Sequence, residues 1–366
     1  MKILHLIYDH INNPWVGGGG AVRAYEIYKR LAHRHTITVI CGKYSGAKDY
    51  SEGNLSFIVL GTGKNNYILS TIIYALRAAL FIKKHWHTYD IIIEDFAPYN
   101  PVFSFIWNKN AVLQLHQKEG IIHLRKYYLI GLIFMFLEMI YHRFFKSIIV
   151  ENEYNKKSFL LKDEPAVIPN GFDEQLLNED AEDGGYILYL GRLHINQKGL
   201  DVLRESLEHI SGDYNIFIAG GGKDSAKAQR LFSRYIDSGK VKMVGLVAGR
   251  RKTDILKNCS FIVLPSRYEG QPLVLLEAAA CAKPVIVSDI PELRYAVEAG
   301  FGISFKSGDA FDLAKKIEFL LANEGLRKEM GKKAREYAKD FTWDKIADEY
   351  ESFLMKIEEG LTRCNV

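Results

Sequence analysis

The chain is poor in cysteine and proline and has no apolar run long enough to span a membrane. Its four cysteines, Cys41, Cys259, Cys281 and Cys364, form no CxxC pair and no metal-ligand spacing. This excludes a disulfide scaffold and offers no structural zinc site. Cys259 and Cys281 sit in apolar surroundings and are expected as buried thiols, which fits a reducing, cytoplasmic compartment. The longest apolar stretch, 127–141, has fifteen residues, whereas a spanning helix needs about 20. The start, MKILHLIYDHINNP, reads as a first strand rather than a secretory signal. Charge of one sign is also lacking: 48 Lys and Arg against 44 Asp and Glu leave +4. The excess lies in the first half, which suits anionic ligands or an anionic membrane surface. It is too small to argue for nucleic acid, and no nucleic-acid motif accompanies it. Repeats and low-complexity tracts are absent.

What is present is a regular alternation of short apolar runs with helical patterns over 366 residues, long enough for two domains. The spacing predicts strands at 2–8, 36–41, 57–60, 91–94, 111–115 and 147–150, then at 186–190, 215–219, 241–244, 261–264 and 284–287. Runs apolar on both faces belong to parallel sheets covered by helices. Two successive sets imply two doubly wound α/β domains. The break is expected in 169–183, where IPNGFDEQLLNEDAEDGG carries turn residues and little periodicity. The tail, FTWDKIADEYESFLMKIEE, is an amphipathic helix expected to return to the first domain.

Segment 127–141, YYLIGLIFMFLEMIY, carries one charge, Glu138, and is flanked by Arg125, Lys126, Arg143 and Lys146. Two readings are open: a buried core helix, or an interfacial helix with a basic rim on an anionic membrane. Segment 67–81, followed by Lys83 and Lys84, permits the same two.

After the first strand, Gly17 to Gly20 are expected as a loop, with a helix from about Ala21. Glycines let backbone approach a ligand, and a helix start offers free N–H groups to an anion. The pattern is not GxGxxG, and no acidic residue ends the second strand, so a dinucleotide site is not expected. GTGKNN at 61–66 lacks the spacing of a phosphate loop and reads as a turn. In the second half, Arg192 and Lys198 flank a loop leading to a helix near Gly199. Two cations at a helix start suit a diphosphate, and a solvated basic loop is the plain alternative. IAGGGKD, 218–224, is a further glycine turn at a strand end.

The stretch SRYEGQPLVLLEAAACAKPVIVSD places Glu269 in a loop at the carboxyl end of a strand and Glu277, eight residues on, inside a helix that Pro272 would open. Glu277 lies among Leu and Ala, so its charge needs a partner. A ligand's hydroxyl pair or a neighbouring cation would serve. The amides of Leu273 and Val274 at the helix start could face phosphate.

This stretch resembles the E-x7-E motif of the retaining family 4 glycosyltransferases. GGGGAVR, the IPNGFD junction, the GRL…QKG loop, the AGGG turn and EGQPLVLLEAAACAKPVIVSD stand in that family's order and spacing. The resemblance implies the GT-B fold: two Rossmann-like domains facing across a cleft, with the C-terminal helix returning to the first. The domains would be 1–172, joined by the helix at about 343–360, and 173–342. It implies a nucleotide-sugar whose ribose is held by Glu277 and whose diphosphate is gripped by Arg192 and Lys198, with the Leu273 and Val274 amides. Glu269 would bond the donor sugar, beside Gly270 and Gln271. Gly19 and Gly20 would close over the phosphates, and His116, in LQLHQKEG, matches the family's active-site histidine. The reaction implied is transfer of a UDP- or GDP-linked sugar, with retention, to a glycan or lipid-linked acceptor. No DxD ends an apolar strand, so neither metal nor cofactor is expected. The enzyme would be cytoplasmic or peripheral on the membrane's cytoplasmic face. The alternatives are an epimerase of the same fold and a non-catalytic nucleotide-sugar-binding subunit. The chain departs from the pattern at GQP, where GFG or GFP is usual, and at IPELRYAV, where a glycine pair often stands. The first departure leaves the donor sugar open.

Overall fold

A computed structural model describes residues 1–13, 18–62, 67–118, 128–159, 161 and 164–362. The chain forms two compact units, residues 1–170 with 343–366, and residues 171–342.

Unit 1 contains β1 (Lys2–Leu6), β2 (Thr36–Gly42), β3 (Tyr50–Glu52), β4 (Leu55–Leu60), β5 (Ile91–Asp95), β6 (Ala111–Leu115), β7 (Ser147–Val150) and β8 (Ala166–Val167). They make one sheet in the order β3-β4-β2-β1-β5-β6-β7-β8. Every pair is parallel except β3 with β4. Unit 2 contains β9 (Ile187–Leu190), β10 (Ile216–Ala219), β11 (Val241–Gly245), β12 (Phe261–Leu264), β13 (Val285–Ser288) and β14 (Gly302–Phe305). Their order is β11-β10-β9-β12-β13-β14, all parallel. Every residue of β9, β12 and β13 is buried, as a sheet covered on both faces requires.

In each sheet the strand order reverses beside the first strand, between β1 and β5 and between β9 and β12. Ligands of doubly wound sheets bind outside the carboxyl ends of the strands at such a point.

The two faces of the unit 1 sheet are set by register. Residues paired across parallel strands point to the same side. Leu4 pairs with Ile92, Leu6 with Glu94, Glu94 with Leu113, and Leu113 with Ile148. Leu4, Leu6 and Ile92 pack with Tyr74, Ala78 and Ile82 of the Tyr67–His85 helix. Leu113 and Ile148 pack with Tyr141 and Phe145, just past the Leu129–Ile140 helix. Both helices therefore belong to one face. On the other face His5 meets Tyr28 of the Gly19–Leu31 helix edge-on, and Gln114 accepts from the Tyr350 hydroxyl at 3.2 Å.

The Trp343–Thr362 helix returns to unit 1 and packs against the Gly19–Leu31 helix. Tyr28 and Tyr350 hydroxyls meet at 3.3 Å, and Arg30 pairs with Asp344 at 2.9 Å. Arg23, fully buried, donates to the carbonyls of Ile168 at 2.9 Å and Pro169 at 2.5 Å. It thereby fixes the end of unit 1 to the first helix.

Several expectations are corrected. The first helix starts at Gly19, so Gly19 and Gly20 lie in its first turn rather than in a loop; Gly17 is outside the described residues. Of the 61–66 turn, residues 63–66 are also outside, as are Arg125, Lys126, Tyr127 and Cys364. The Leu129–Ile140 helix is not a core helix: Gly131 and Glu138 are its only buried residues among those whose side chains are described. Pro272 is the N-cap of the Leu273–Ala280 helix, one position earlier than expected, a shift within the usual ambiguity of helix ends. Cys259 and Cys281 are buried thiols, pushed up to about 12 by burial. Among the described residues, no helix is long and apolar enough to cross a membrane.

Candidate active site

The site in unit 2 is built on the loops that follow β9 and β12. After β9, His194 caps a single turn, Ile195–Lys198, by accepting from the Gln197 amide. Gly199 then reverses the backbone at φ 63°, and the next helix runs Leu200–Ser206. A Cβ on Gly199 would lie 1.9 Å from the Pro265 carbonyl oxygen, so the loops after β9 and β12 touch through this glycine. Gly220 makes a similar approach to the Gly191 carbonyl at the next strand end.

The contact places Lys198 against Glu269. The Lys198 ammonium donates to Glu269 Oε1 at 2.6 Å and to Oε2 at 2.8 Å. Both side chains are buried, as is Gln271. Arg267, next to this loop, is held by a bidentate pair with Asp201 at 2.9 and 2.6 Å. Arg192 is exposed. Its carbonyl accepts from the Tyr189 hydroxyl at 2.8 Å, which ties the loop to the end of β9. Lys198 and Arg192 thus differ in setting: one is buried and neutralised, the other open to solvent.

Leu273 and Val274 are the first two residues of their helix, and the Pro272 carbonyl accepts from Leu275 at 3.1 Å. The amides of Leu273 and Val274 are therefore among the N–H groups a helix start leaves without an intrahelical partner. Gly270, half-buried, precedes them. Glu277, one turn further, pairs with Lys252 of the Gly249–Asn258 helix at 2.5 Å through Oε1. A neighbouring cation therefore supplies the partner this carboxylate needs.

In unit 1, His116 directly follows β6. Its Nδ1 lies 2.7 Å from Glu151 Oε1 and its Nε2 3.0 Å from Asp95 Oδ2. The other Asp95 oxygen is 3.1 Å from His5 Nε2. A ring with a carboxylate at each nitrogen donates from both and is an imidazolium. Burial alone would lower its pKa, but Asp95 and Glu151 outweigh burial and hold it well above 6.5. In the opposite sense His116 and His5 hold Asp95 well below the usual carboxylate range, against the effect of burial. The His116 carbonyl accepts from Asn155, whose amide is capped by Asn152. A Cβ on Gly20 would be 3.6 Å from the imidazole, so the first helix turn and His116 adjoin.

Asp95, Glu151, His5 and Lys252 were not singled out in the sequence. Asp95 and Glu151 have a readable signal: each ends or follows an apolar run at a strand's carboxyl end, IIIED and SIIVE. Lys252, inside GRRKTD, has none.

Two doubly wound sheets, each with its strand order reversing beside the first strand, define a two-domain α/β protein of the Rossmann-like kind. Comparison with solved structures shows the GT-B fold. Sucrose-phosphate synthase of Thermosynechococcus elongatus superposes with TM-score 0.82, 21% identity and coverage of 98% of this chain and 100% of that one. Anabaena HepE in complex with UDP-glucose gives TM-score 0.70 at 17% identity, covering 99% and 100%. The family model described as Glycosyltransferase Family 4 matches residues 17–176, and that described as Glycosyl transferases group 1 matches residues 174–337. The chain belongs to this glycosyltransferase family. One relative, the Campylobacter jejuni N,N'-diacetylbacillosaminyl-diphospho-undecaprenol alpha-1,3-N-acetylgalactosaminyltransferase, is 33% identical over 154 residues, 42% of this chain and 40% of that protein. The chain spans about half the length, or less, of the curated relatives it matches.

Proposed function

We propose that the chain is a retaining glycosyltransferase that moves a sugar from a nucleotide-diphospho-sugar to an acceptor hydroxyl, with no metal or further cofactor. The observation that carries this reading is the junction at the unit 2 switch point, where Gly199 lies against Pro265 and Lys198 holds Glu269, four residues before the Leu273–Ala280 helix.

In this reading Lys198 keeps one N–H for the diphosphate while two remain on Glu269. The exposed Arg192 and the Leu273 and Val274 amides complete the anion site. As the leaving diphosphate gains charge, these preorganised donors stabilise it. Glu269, fixed by Lys198, bonds the donor sugar beside Gly270 and Gln271 and acts by positioning. Glu277 uses the oxygen not taken by Lys252 for a ribose hydroxyl. The acceptor proton leaves with the diphosphate on the attacked face, which gives retention. In unit 1 the imidazolium of His116, both N–H groups held by Asp95 and Glu151, is a fixed positive charge rather than a base, and the Gly19 and Gly20 amides are anion donors.

UDP-glucose bound to HepE supports a UDP-sugar donor, with GDP-sugars next. The undecaprenol-linked acceptor in the name of the Campylobacter relative supports a lipid-linked saccharide as acceptor. Buried reduced thiols support a cytoplasmic reaction. Calorimetric titration with UDP-, GDP- and ADP-sugars in EDTA tests the donor site. One nucleotide family is expected to bind without metal. Binding that requires Mg²⁺ or Mn²⁺ overturns the metal-independent reading, and no binding by any nucleotide overturns the donor site.

A further inference from the structure

The face of the unit 1 sheet that carries the two apolar helices is built unlike an ordinary solvent face. The Tyr67–His85 helix packs inward through Tyr74, Ala78 and Ile82. Its outward side carries Leu69, Ile72, Leu76 and Leu80, spaced by three and four residues and 42–66% exposed. The Leu129–Ile140 helix exposes Leu129, Ile133, Phe136 and Met139 by 53–78%. A surface helix normally turns charged or polar residues outward, and here both helices turn large apolar ones. Between them in sequence the Ser104–Ile106 turn exposes Ile106. The Ser104 amide donates to buried Glu94 at 3.0 Å, which ties the turn to the same face of the sheet.

The exposed charges on and just after these helices are mostly cations, with Asp90, bonded to the Lys2 amide, following the first set. Over residues 67–89 and 128–147, every exposed Lys, Arg, Asp or Glu is a cation: Arg77, Lys83, Lys84, Arg143 and Lys146. The only carboxylate there, Glu138, is buried. The cations Lys83, Lys84, Arg143 and Lys146 stand at or just past the helices' carboxyl ends, so an apolar plate carries a basic rim. A protein partner could match the apolar part. A plate rimmed mainly by cations, with Lys and Arg heads at the level of the headgroups, matches an anionic bilayer. We propose that this face of unit 1 docks on an anionic lipid surface, with the outer side chains of the Tyr67–His85 and Leu129–Ile140 helices entering the headgroup–acyl boundary. This goes beyond the transferase reading and does not rest on it, because vesicle binding and nucleotide binding are measured separately.

Flotation of the full chain with phosphatidylcholine vesicles, with and without phosphatidylglycerol, tests the proposal. The chain is expected to float with the anionic vesicles at low salt and less so at high salt. The variant Leu76→Gln/Leu80→Gln/Ile133→Gln/Phe136→Gln is expected to bind about tenfold more weakly or worse, with nucleotide binding and melting temperature unchanged. Wild type that stays unbound at low salt overturns the proposal, as does a fourfold variant that floats equally well. A dimer in light scattering that this variant converts to monomer, with no vesicle binding by wild type, assigns the face to self-association instead. If the fourfold variant melts early, the single variant Leu76→Trp with bromine-labelled lipids reads the contact directly. Added quenching relative to wild type supports docking, and none overturns it.

Discussion

Lys198 and Glu269 neutralise each other at the carboxyl edge of the unit 2 sheet, one ammonium donating to both carboxylate oxygens at 2.6 and 2.8 Å. Both are buried, so each holds the other's charge away from water. Removing one partner leaves an uncompensated buried charge, which costs about 3–5 kcal/mol, whereas removing both is often close to neutral. Glu269→Gln is therefore expected to lower the unfolding free energy strongly. Lys198→Met/Glu269→Gln is expected to recover most of that loss. Urea unfolding at neutral pH checks this; a double-variant loss equal to the sum of the Glu269→Gln and Lys198→Met losses would show that the two groups are not coupled.

Glu277 presents the opposite case. Its pair with Lys252 is partly exposed, and such pairs contribute about 0–1 kcal/mol to stability. Glu277→Ala should barely move the melting temperature. In the proposed role it accepts a ribose hydroxyl, and losing a hydrogen bond to a charged group costs about 1.5–3 kcal/mol, roughly ten- to a hundredfold in affinity. Calorimetry with the preferred nucleotide should show that loss in Glu277→Ala and a smaller one in Lys252→Ala. Unchanged affinity in Glu277→Ala would remove it from the site.

The imidazolium of His116 gives stability a pH dependence of definite sign. Its folded-state pKa is raised above 6.5 by Asp95 and Glu151, in spite of burial. The stabilisation is complete below about pH 6.5 and fades as pH rises through the raised pKa, by up to about 1.4 kcal/mol per pH unit. His116→Gln leaves Asp95 and Glu151 without their shared cation and is expected to cost about 2–4 kcal/mol at pH 6. It should also flatten the alkaline decline. Thermal melts from pH 6 to 9 check this, and parallel curves for wild type and variant would contradict it.

Gly199 has a role that no side chain can share. Its φ is 63°, and a Cβ would sit 1.9 Å from the Pro265 carbonyl oxygen. Gly199→Ala must shift the loop after β9 or the one after β12, at an expected cost of about 2–4 kcal/mol. Because Lys198 is the preceding residue, nucleotide binding should weaken with it. An unchanged melt and affinity would show that the close approach is not needed.

The periodicity of the sequence carried most of the sheets. Strands at 111–115, 147–150 and 261–264 match β6, β7 and β12 residue for residue, because short, mainly apolar runs buried on both faces leave little ambiguity. Three strands escaped. β3 is a three-residue antiparallel edge with exposed Ser51 and Glu52, β8 has two residues, and β14 opens on a glycine. None offers an apolar run. The grouping around His116 escaped for a different reason: Asp95 and Glu151 each end or follow a readable apolar run, but they and His5 lie far apart in sequence and meet only through the order of β1, β5, β6 and β7. The Leu129–Ile140 helix shows the limit of hydropathy, since composition alone does not say whether an apolar helix faces a core or a lipid surface. Lys252 could not be read at all, because its role comes from a neighbouring helix docking beside Glu277.

Proton NMR of the first sugar released from the preferred nucleotide-sugar, with water standing in for the acceptor, tests the central claim most directly. It is read in EDTA before the anomers equilibrate. The account predicts cleavage without metal and a first-formed anomer with the configuration it had in the donor. An inverted anomer, an epimerised nucleotide-sugar, or tight nucleotide binding without cleavage would contradict it.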